Sequence, residues 1–380
     1  DGTWDDGTNP GDETKTNVYK LYNAVKPQDA TGVNQVPIYI KGIGTENAPE
    51  TSEDCTPDFH NFVKGAVGIE VSEKIQSAYR QLVEQFSPED QIFVFGFSRG
   101  AFQARSFAHL VTHYGILPAE DIDRFSRIWR HYLHHRTEKQ DGELKKIRAI
   151  THWPQRIRCL GVWDTVGNLG LPVLKGLHFN RQFRFHNTQL NDKIDIALQA
   201  LAIDENRGPF SPTLWTRKKN QKPVADQIVE QVWFPGSHVN VGGGFSDSGL
   251  SDIALIWMAE RVAETSGLSF ELGSDLKPDP LGRQYDSQQG LYRLGRSFPF
   301  VRLIRQNLKV LPYWRRLLLG PWRTNWVPEN RVTINESIHE SARNRLGKKV
   351  RICQSGSPDD LGHEEEYRPH NLVVAVGSKD

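Results

Sequence analysis

Long apolar runs are missing from this sequence. No stretch reaches the ~18 consecutive apolar residues that a membrane-crossing helix needs, and no signal-peptide pattern occurs within the sequence. A protein resident in the cytoplasm of the cell that makes it is the expectation. Cysteine is scarce as well. Cys55, Cys159 and Cys353 are odd in number and far apart, which argues against a disulfide framework and a paired-thiolate metal site. An excess of either charge is lacking too: 47 basic residues face 46 acidic ones, so nothing global draws the chain to nucleic acid. Methionine occurs once, at Met258.

What is present suffices for a soluble core. Hydrophobic residues make up 37% and charged residues 24% of the 380 positions. Two or three average domains would fit, although α/β folds often run this long in one piece.

The most informative stretch is Gln91 to Arg105. Ile92 to Phe95 is a run of four apolar residues that reads as a buried parallel strand, and Ala101 to His113 has the spacing of a helix. Between them lies Gly96-Phe97-Ser98-Arg99-Gly100, a G-x-S-x-G pentapeptide in strand-turn-helix context. A bare pentapeptide of this kind arises often by chance; its flanks single this one out. So tight a turn strains the serine backbone and leaves no room for side chains at positions 96 and 100. The expected product is an exposed Ser98 hydroxyl at a helix N-terminus, where backbone N–H groups can receive an oxyanion.

Elsewhere strands and helices alternate. Thr16 to Val25 and Ile69 to Phe86 read as helices, Gln35 to Ile40 as a strand, and Ala119 to Ile147 as a charged helix pair. Arg156 to Trp163 and Ile228 to Phe234 read as strands, Asp192 to Ile203 as a helix, and Ser251 to Gly267 as an amphipathic helix capped by Ser251. This alternation predicts a mainly parallel sheet covered on both faces.

A serine hydroxyl needs a histidine base, and the histidine needs a carboxylate to hold its tautomer. Asp164 ends the apolar strand Ile157 to Trp163; Asp141, Asp192 and Asp195 fall in helices or polar linkers. The competing reading of Asp164 is a helix N-cap. His238 follows the strand Ile228 to Phe234, ahead of the glycine-rich Val239 to Phe245, whereas His339, His363 and His370 follow no such clear strand. The oxyanion donors expected are the N–H of Arg99 and a loop at Gly2 and Thr3, with Gly42 to Thr45 as the alternative. His131, His134 and His135 lack a carboxylate or cysteine at ligand spacing, so a solvated basic face is the simpler reading. Asp1, Asp5, Asp6 and Asp12 could hold Ca²⁺, but their spacing does not match an EF-hand. No metal is expected.

Seven ordered blocks then carry a family resemblance. They are Asp1-Gly-Thr-Trp4 with Thr16-Asn17-Val18, Gly42-Ile-Gly-Thr45, Phe95 to Ala101, Gly161 to Gly167, Ala202 to Glu205 with Leu214-Trp215, Trp233 to His238 with Gly242 to Phe245, and Leu250 to Met258. Over roughly residues 1 to 260 the chain resembles the catalytic domain of type VI secretion phospholipase effectors, the Tle1-like group. The resemblance implies an α/β-hydrolase fold. A single catalytic domain over residues 1–380 is expected, with residues 275–330, on their own composition, as a cap or membrane-facing insertion. The resemblance also implies a Ser-Asp-His triad at Ser98, Asp164 and His238, cleavage of glycerophospholipid acyl esters without a cofactor, and export as an effector. A secretion-apparatus or immunity-protein partner follows by the same resemblance. One departure is Asn240, where relatives carry aspartate two residues after the histidine.

Tyr292 to Arg323 bears on the substrate, since it holds eight basic residues, no acidic one and six aromatics. Trp314, Arg315, Arg316 and Trp322 would then face an anionic lipid surface, where each basic group contributes about 1 kcal/mol. A core-packing helix with a solvated basic face explains the composition as well. Two other functions stay open: an esterase or acyltransferase on a soluble ester, and an interaction module of the same fold without catalysis.

Overall fold

The computed structural model describes residues 15–42, 57–134, 142–166, 190–287, 300–306, 324–325, 327, 329–354 and 360–377. Its centre is a sheet of five parallel strands in the order β1 (Phe93–Phe97), β2 (Ile157–Trp163), β3 (Ile194–Ala202), β5 (Ile228–Phe234) and β8 (Glu336–Ile338). The inner strands β2 and β3 are buried on both faces, which is why they are nearly continuously apolar.

Residues of β2 and β3 feed two cores, one on each face of the sheet. Ile157, Leu160, Val162, Ile194 and Ala197 pack on one face with α2 (Pro57–Gln85), α3 (Arg99–Tyr114), α4 (Phe125–His134) and α5 (Gly142–Arg148). Cys159, Trp163, Ile196, Leu198, Ala200 and Phe234 pack on the other face. There they meet α1 (Asn17–Ala24) and the helix Gly249–Ser266. The result is a mixed α/β architecture with helices on both faces of a parallel sheet.

A third cluster joins the sheet to the C-terminal part of the chain. Leu201, Ile203 and Trp233 pack with Ile304, Ile338, Ala342, Val350, Tyr367 and Leu372. These belong in part to Glu340–Arg345, β9 (Lys349–Cys353) and His370–Gly377. Strand β9 is flanked by β6 (Gln284–Tyr285) and β10 (His363–Glu366) in a small sheet, while β4 (Thr216–Lys218) pairs with β7 (Arg331–Thr333).

Several sequence expectations need correction. Residues 194–202 form the strand β3, not a helix. Its Ala, Leu and Gln favour helix intrinsically, but a run buried on both faces carries no period that separates strand from helix, and pairing to β2 and β5 decides the matter. Asp195 therefore lies in a strand, where it binds Arg156. Gln35 to Ile40 forms no strand. Val36 is 71% exposed, and the segment is held by Gln35, whose amide donates to the Lys26 and Ser269 carbonyls. The helix expected from Ser251 starts at Gly249, and Ser251 lies inside it, donating to the Ser248 carbonyl. His131 sits on no solvated face. It is buried, its Nδ1 2.9 Å from the Tyr114 hydroxyl.

The close approach of β1 and α3 rests on Gly96. A Cβ there would stand 2.5 Å from the Gly100 carbonyl oxygen and 2.8 Å from the Ala101 Cα. Both are backbone atoms and cannot swing aside. Gly96→Ala should therefore cost about 3 kcal/mol through overpacking, read as a lower urea midpoint at an unchanged slope. An unaltered midpoint would contradict this packing.

Candidate active site

Three strand ends build the site. Chain reversal from β1 into α3 places Ser98 at φ 59°, ψ −121°, a strained conformation for a residue with a side chain. Its N–H donates to the Trp163 carbonyl at 3.1 Å, which ties the turn to the end of β2. Asp164 follows β2 directly, also at positive φ (39°), and its N–H donates to the Ala200 carbonyl at 2.8 Å. His238 opens the short helix α6 (His238–Gly242), just beyond β5. Parallel strands place all three residues at the same rim of the sheet.

The side chains form one hydrogen-bonded chain. Ser98 Oγ lies 2.8 Å from His238 Nε2, and His238 Nδ1 lies 2.6 Å from Asp164 Oδ2. An ionised carboxylate only accepts, so Nδ1 carries the proton and Nε2 is left to accept from the serine hydroxyl. Sequence reasoning expected an exposed hydroxyl. Ser98 is only 7% exposed, because its oxygen is turned onto the imidazole, and that ring lies between Phe97 at 4.7 Å and Phe210 at 5.1 Å.

Asp164 is fully buried and receives four donors. Besides His238 these are the Ala202 N–H at 3.1 Å and two from Arg302, with Nη1 2.5 Å from Oδ1 and Nη2 2.9 Å from Oδ2. Burial alone would raise the carboxyl; the Arg302 charge, then His238, outweigh it and hold the group well below the ordinary carboxylate range. Removing one partner of such a buried pair costs about 3–5 kcal/mol. The sequence reading placed Arg302 in a basic, membrane-facing stretch. The guanidinium is instead buried at the centre of the site.

The histidine turn has its own supports. Gly236, at φ 102°, donates its N–H to Asp204 Oδ2 at 2.7 Å, and Tyr367 donates its hydroxyl to the same oxygen at 2.8 Å. The His238 N–H points to Glu205 Oε2 at 3.4 Å, and Glu205 is held below its ordinary value against burial by the Arg207 fork. Asn240 Oδ1 accepts from the N–H groups of Ser237 and Tyr285, while its Nδ2 donates to the Arg283 carbonyl at 3.1 Å. That last bond needs an amide, which gives this chain a reason to carry asparagine at 240. Asn17 donates to the carbonyls of Val241 and Ser251, both at 2.9 Å, and so pins α6 from behind.

Among the oxyanion donors expected from sequence, Arg99 begins α3, beside Ser98. Burial lowers its guanidinium to about 10. Gly2 and Thr3 lie outside the described residues, as do residues 43–45 of the alternative loop and the four N-terminal aspartates. Trp314, Arg315, Arg316 and Trp322 lie outside them as well. Of the rival histidines, His339 caps the helix Glu340–Arg345 through a bond to the Ser341 N–H, and His363 is exposed. Neither reaches the site.

Burial pushes the Asp204 carboxyl up to about 6, only partly offset by its hydrogen bonds to Gly236 and Tyr367. Its folded value thus lies above the unfolded one, about 3.9. The stabilisation from its proton is complete below the unfolded value and lost as pH rises through about 6. Asp204→Asn keeps the acceptor without the charge. It should exceed the native protein in stability at pH 8 by on the order of 2 kcal/mol, and the gain should vanish near pH 4. Parallel pH profiles of the melting temperature would contradict this.

A Saccharomyces cerevisiae protein, YEL023C, is 27% identical over 226 residues, which is 56% of this chain and 32% of that protein. The chain thus spans about a third of the length of this relative. A crystal structure of a Pseudomonas aeruginosa protein aligns over 71% of this chain and 45% of the other at 19% identity, with a TM-score of 0.40. The sequence model described as "T6SS, Phospholipase effector Tle1-like, catalytic domain" matches residues 1–261, and the chain belongs to that family.

Proposed function

We propose that this protein is a serine esterase that cleaves acyl esters of glycerophospholipids through an acyl-enzyme. One observation carries the reading: the continuous hydrogen-bonded chain from Ser98 Oγ through His238 to Asp164, at 2.8 Å and 2.6 Å. Membership of a phospholipase effector family supports a lipase-type hydrolase and a lipid substrate. It also supports export, with secretion-system or immunity partners.

Ser98 Oγ attacks the ester carbonyl while His238 Nε2 takes its proton. Asp164 orients the ring and faces the charge that forms on it. The carbonyl oxygen becomes an oxyanion at the N-terminus of α3, where the Arg99 N–H is a donor and the helix dipole favours negative charge. His238 then gives its proton to the leaving alcohol, which departs as the lysolipid. Water, deprotonated by the same imidazole, adds to the acyl carbonyl; the C–Oγ bond breaks, the fatty acid leaves, and the imidazolium returns its proton to Ser98 Oγ. No step requires a cofactor. On their composition alone, Trp314, Arg315, Arg316 and Trp322 are assigned to contact with the lipid surface.

Ser98→Ala should lower fatty-acid release from glycerophospholipid vesicles by at least about 1,000-fold without changing the fold. Retained release would remove Ser98 from the chemistry. Headgroup release without fatty acid would show that another bond is cut, and turnover of short-chain esters alone would favour a soluble substrate. Replacing both Arg315 and Arg316 by glutamate should weaken binding to anionic liposomes. Unchanged binding would remove the membrane contact.

A further inference from the structure

Arg302 lies beyond the span matched by the family model, yet its guanidinium is as deeply buried as Asp164. Four acceptors fix its plane. Two are the carboxylate oxygens, and two are the carbonyls of Ala202 at 2.8 Å and Phe210 at 2.7 Å. Phe210 also packs edge-on against the His238 ring. The backbone that delivers the cation is anchored on three sides. Asn371 donates to the Arg302 carbonyl, Asn325 binds both the N–H and the carbonyl of Leu303, and the Phe300 N–H donates to the Asn206 carbonyl.

We propose that Arg302 is a positioning residue of the esterase: its fork fixes the carboxylate that orients His238, and its charge sets how readily the Asp164–His238 pair takes up a proton. The inference rests on Ser98 being the nucleophile. The Arg302 side chain is fully buried and touches no reacting atom; it acts through the groups that it holds, the Asp164 carboxylate first. Stability alone is a poor reason for it, since a buried ion pair seldom outperforms apolar packing, and Arg302 Nε is buried without a partner.

During acylation the proton leaves Ser98 Oγ for His238 Nε2, and the imidazolium faces a carboxylate whose Oδ2 is shared with Arg302 Nη2. Among the described residues, the other groups near this cluster are Asp204 and Glu205 on the turn after β3, Arg207 paired to Glu205, and Arg345 and the neutral Tyr367 phenol behind Asp204. None of them donates to Asp164. Without Arg302, burial pushes the carboxyl up, and the Asp164–His238 pair binds its proton at higher pH.

The test follows ester turnover against pH in the native protein and in the Ser98→Ala, Arg302→Met and Arg302→Lys variants, with melting temperatures alongside. Arg302→Met should lose about 100-fold in kcat with KM nearly unchanged, and the acid limb of kcat/KM should move up by about 1 to 3 units. Arg302→Lys retains a cation without the fork. Its kcat should fall while its acid limb stays near that of the native protein, which gives a readout even where Arg302→Met does not fold. Millimolar guanidinium should restore part of the Arg302→Met rate. A native kcat and acid limb in folded Arg302→Met would overturn the inference alone, as would a shifted limb in Arg302→Lys. Turnover that survives Ser98→Ala would overturn the esterase reading, and the inference with it.

Discussion

The carboxylate of Asp164 is the point on which the rest of the structure converges. A charge taken wholly out of water must be paired and hydrogen-bonded or it will be neutralised by a proton. Here the donors come from far apart in the chain: His238 beyond β5, the Ala202 N–H at the end of β3, and Arg302 from the C-terminal part. Satisfying one buried anion thus joins separate parts of the chain. The same bonds give the histidine its tautomer and the serine its acceptor.

Within the site the unfavourable backbone sits at Ser98 and Asp164, both at positive φ, and the turns that carry them are tied to β2 and β3, which have apolar cores on both faces. Behind His238, Asp204, Asn240 and Asn17 tie the turn to three other segments through hydrogen bonds. A site held by so many independent ties has little freedom to drift from bonding distance, and that is the condition for a proton to move from Ser98 to His238 without reorganisation.

Much of this arrangement was legible in the sequence because its signals are local. Ser98 and Asp164 follow an apolar strand at once and His238 within a short turn, and parallel strands deliver their ends to one rim; Gly96 marks a turn that no larger residue fits. The parallel sheet was legible from alternation, and α1 and β5 almost to the residue. What failed was non-local. Residues 194–202 are apolar on both faces, so only their neighbours reveal a strand. Arg302 sits among other arginines with nothing in its spacing to separate it from them, and its partner lies 138 positions away. The amide of Asn240 likewise has meaning only beside the Arg283 carbonyl.

The central claim is that the Ser98 oxygen is a nucleophile activated by His238. Its most direct measurement is covalent labelling of the intact protein with a fluorophosphonate, with the modified residue located by peptide mass spectrometry. The account predicts one phosphonyl adduct, on Ser98, formed quickly in the native protein and slowly or not at all in His238→Ala. An adduct on another residue, or labelling of Ser98 at the same rate without the imidazole, would contradict it.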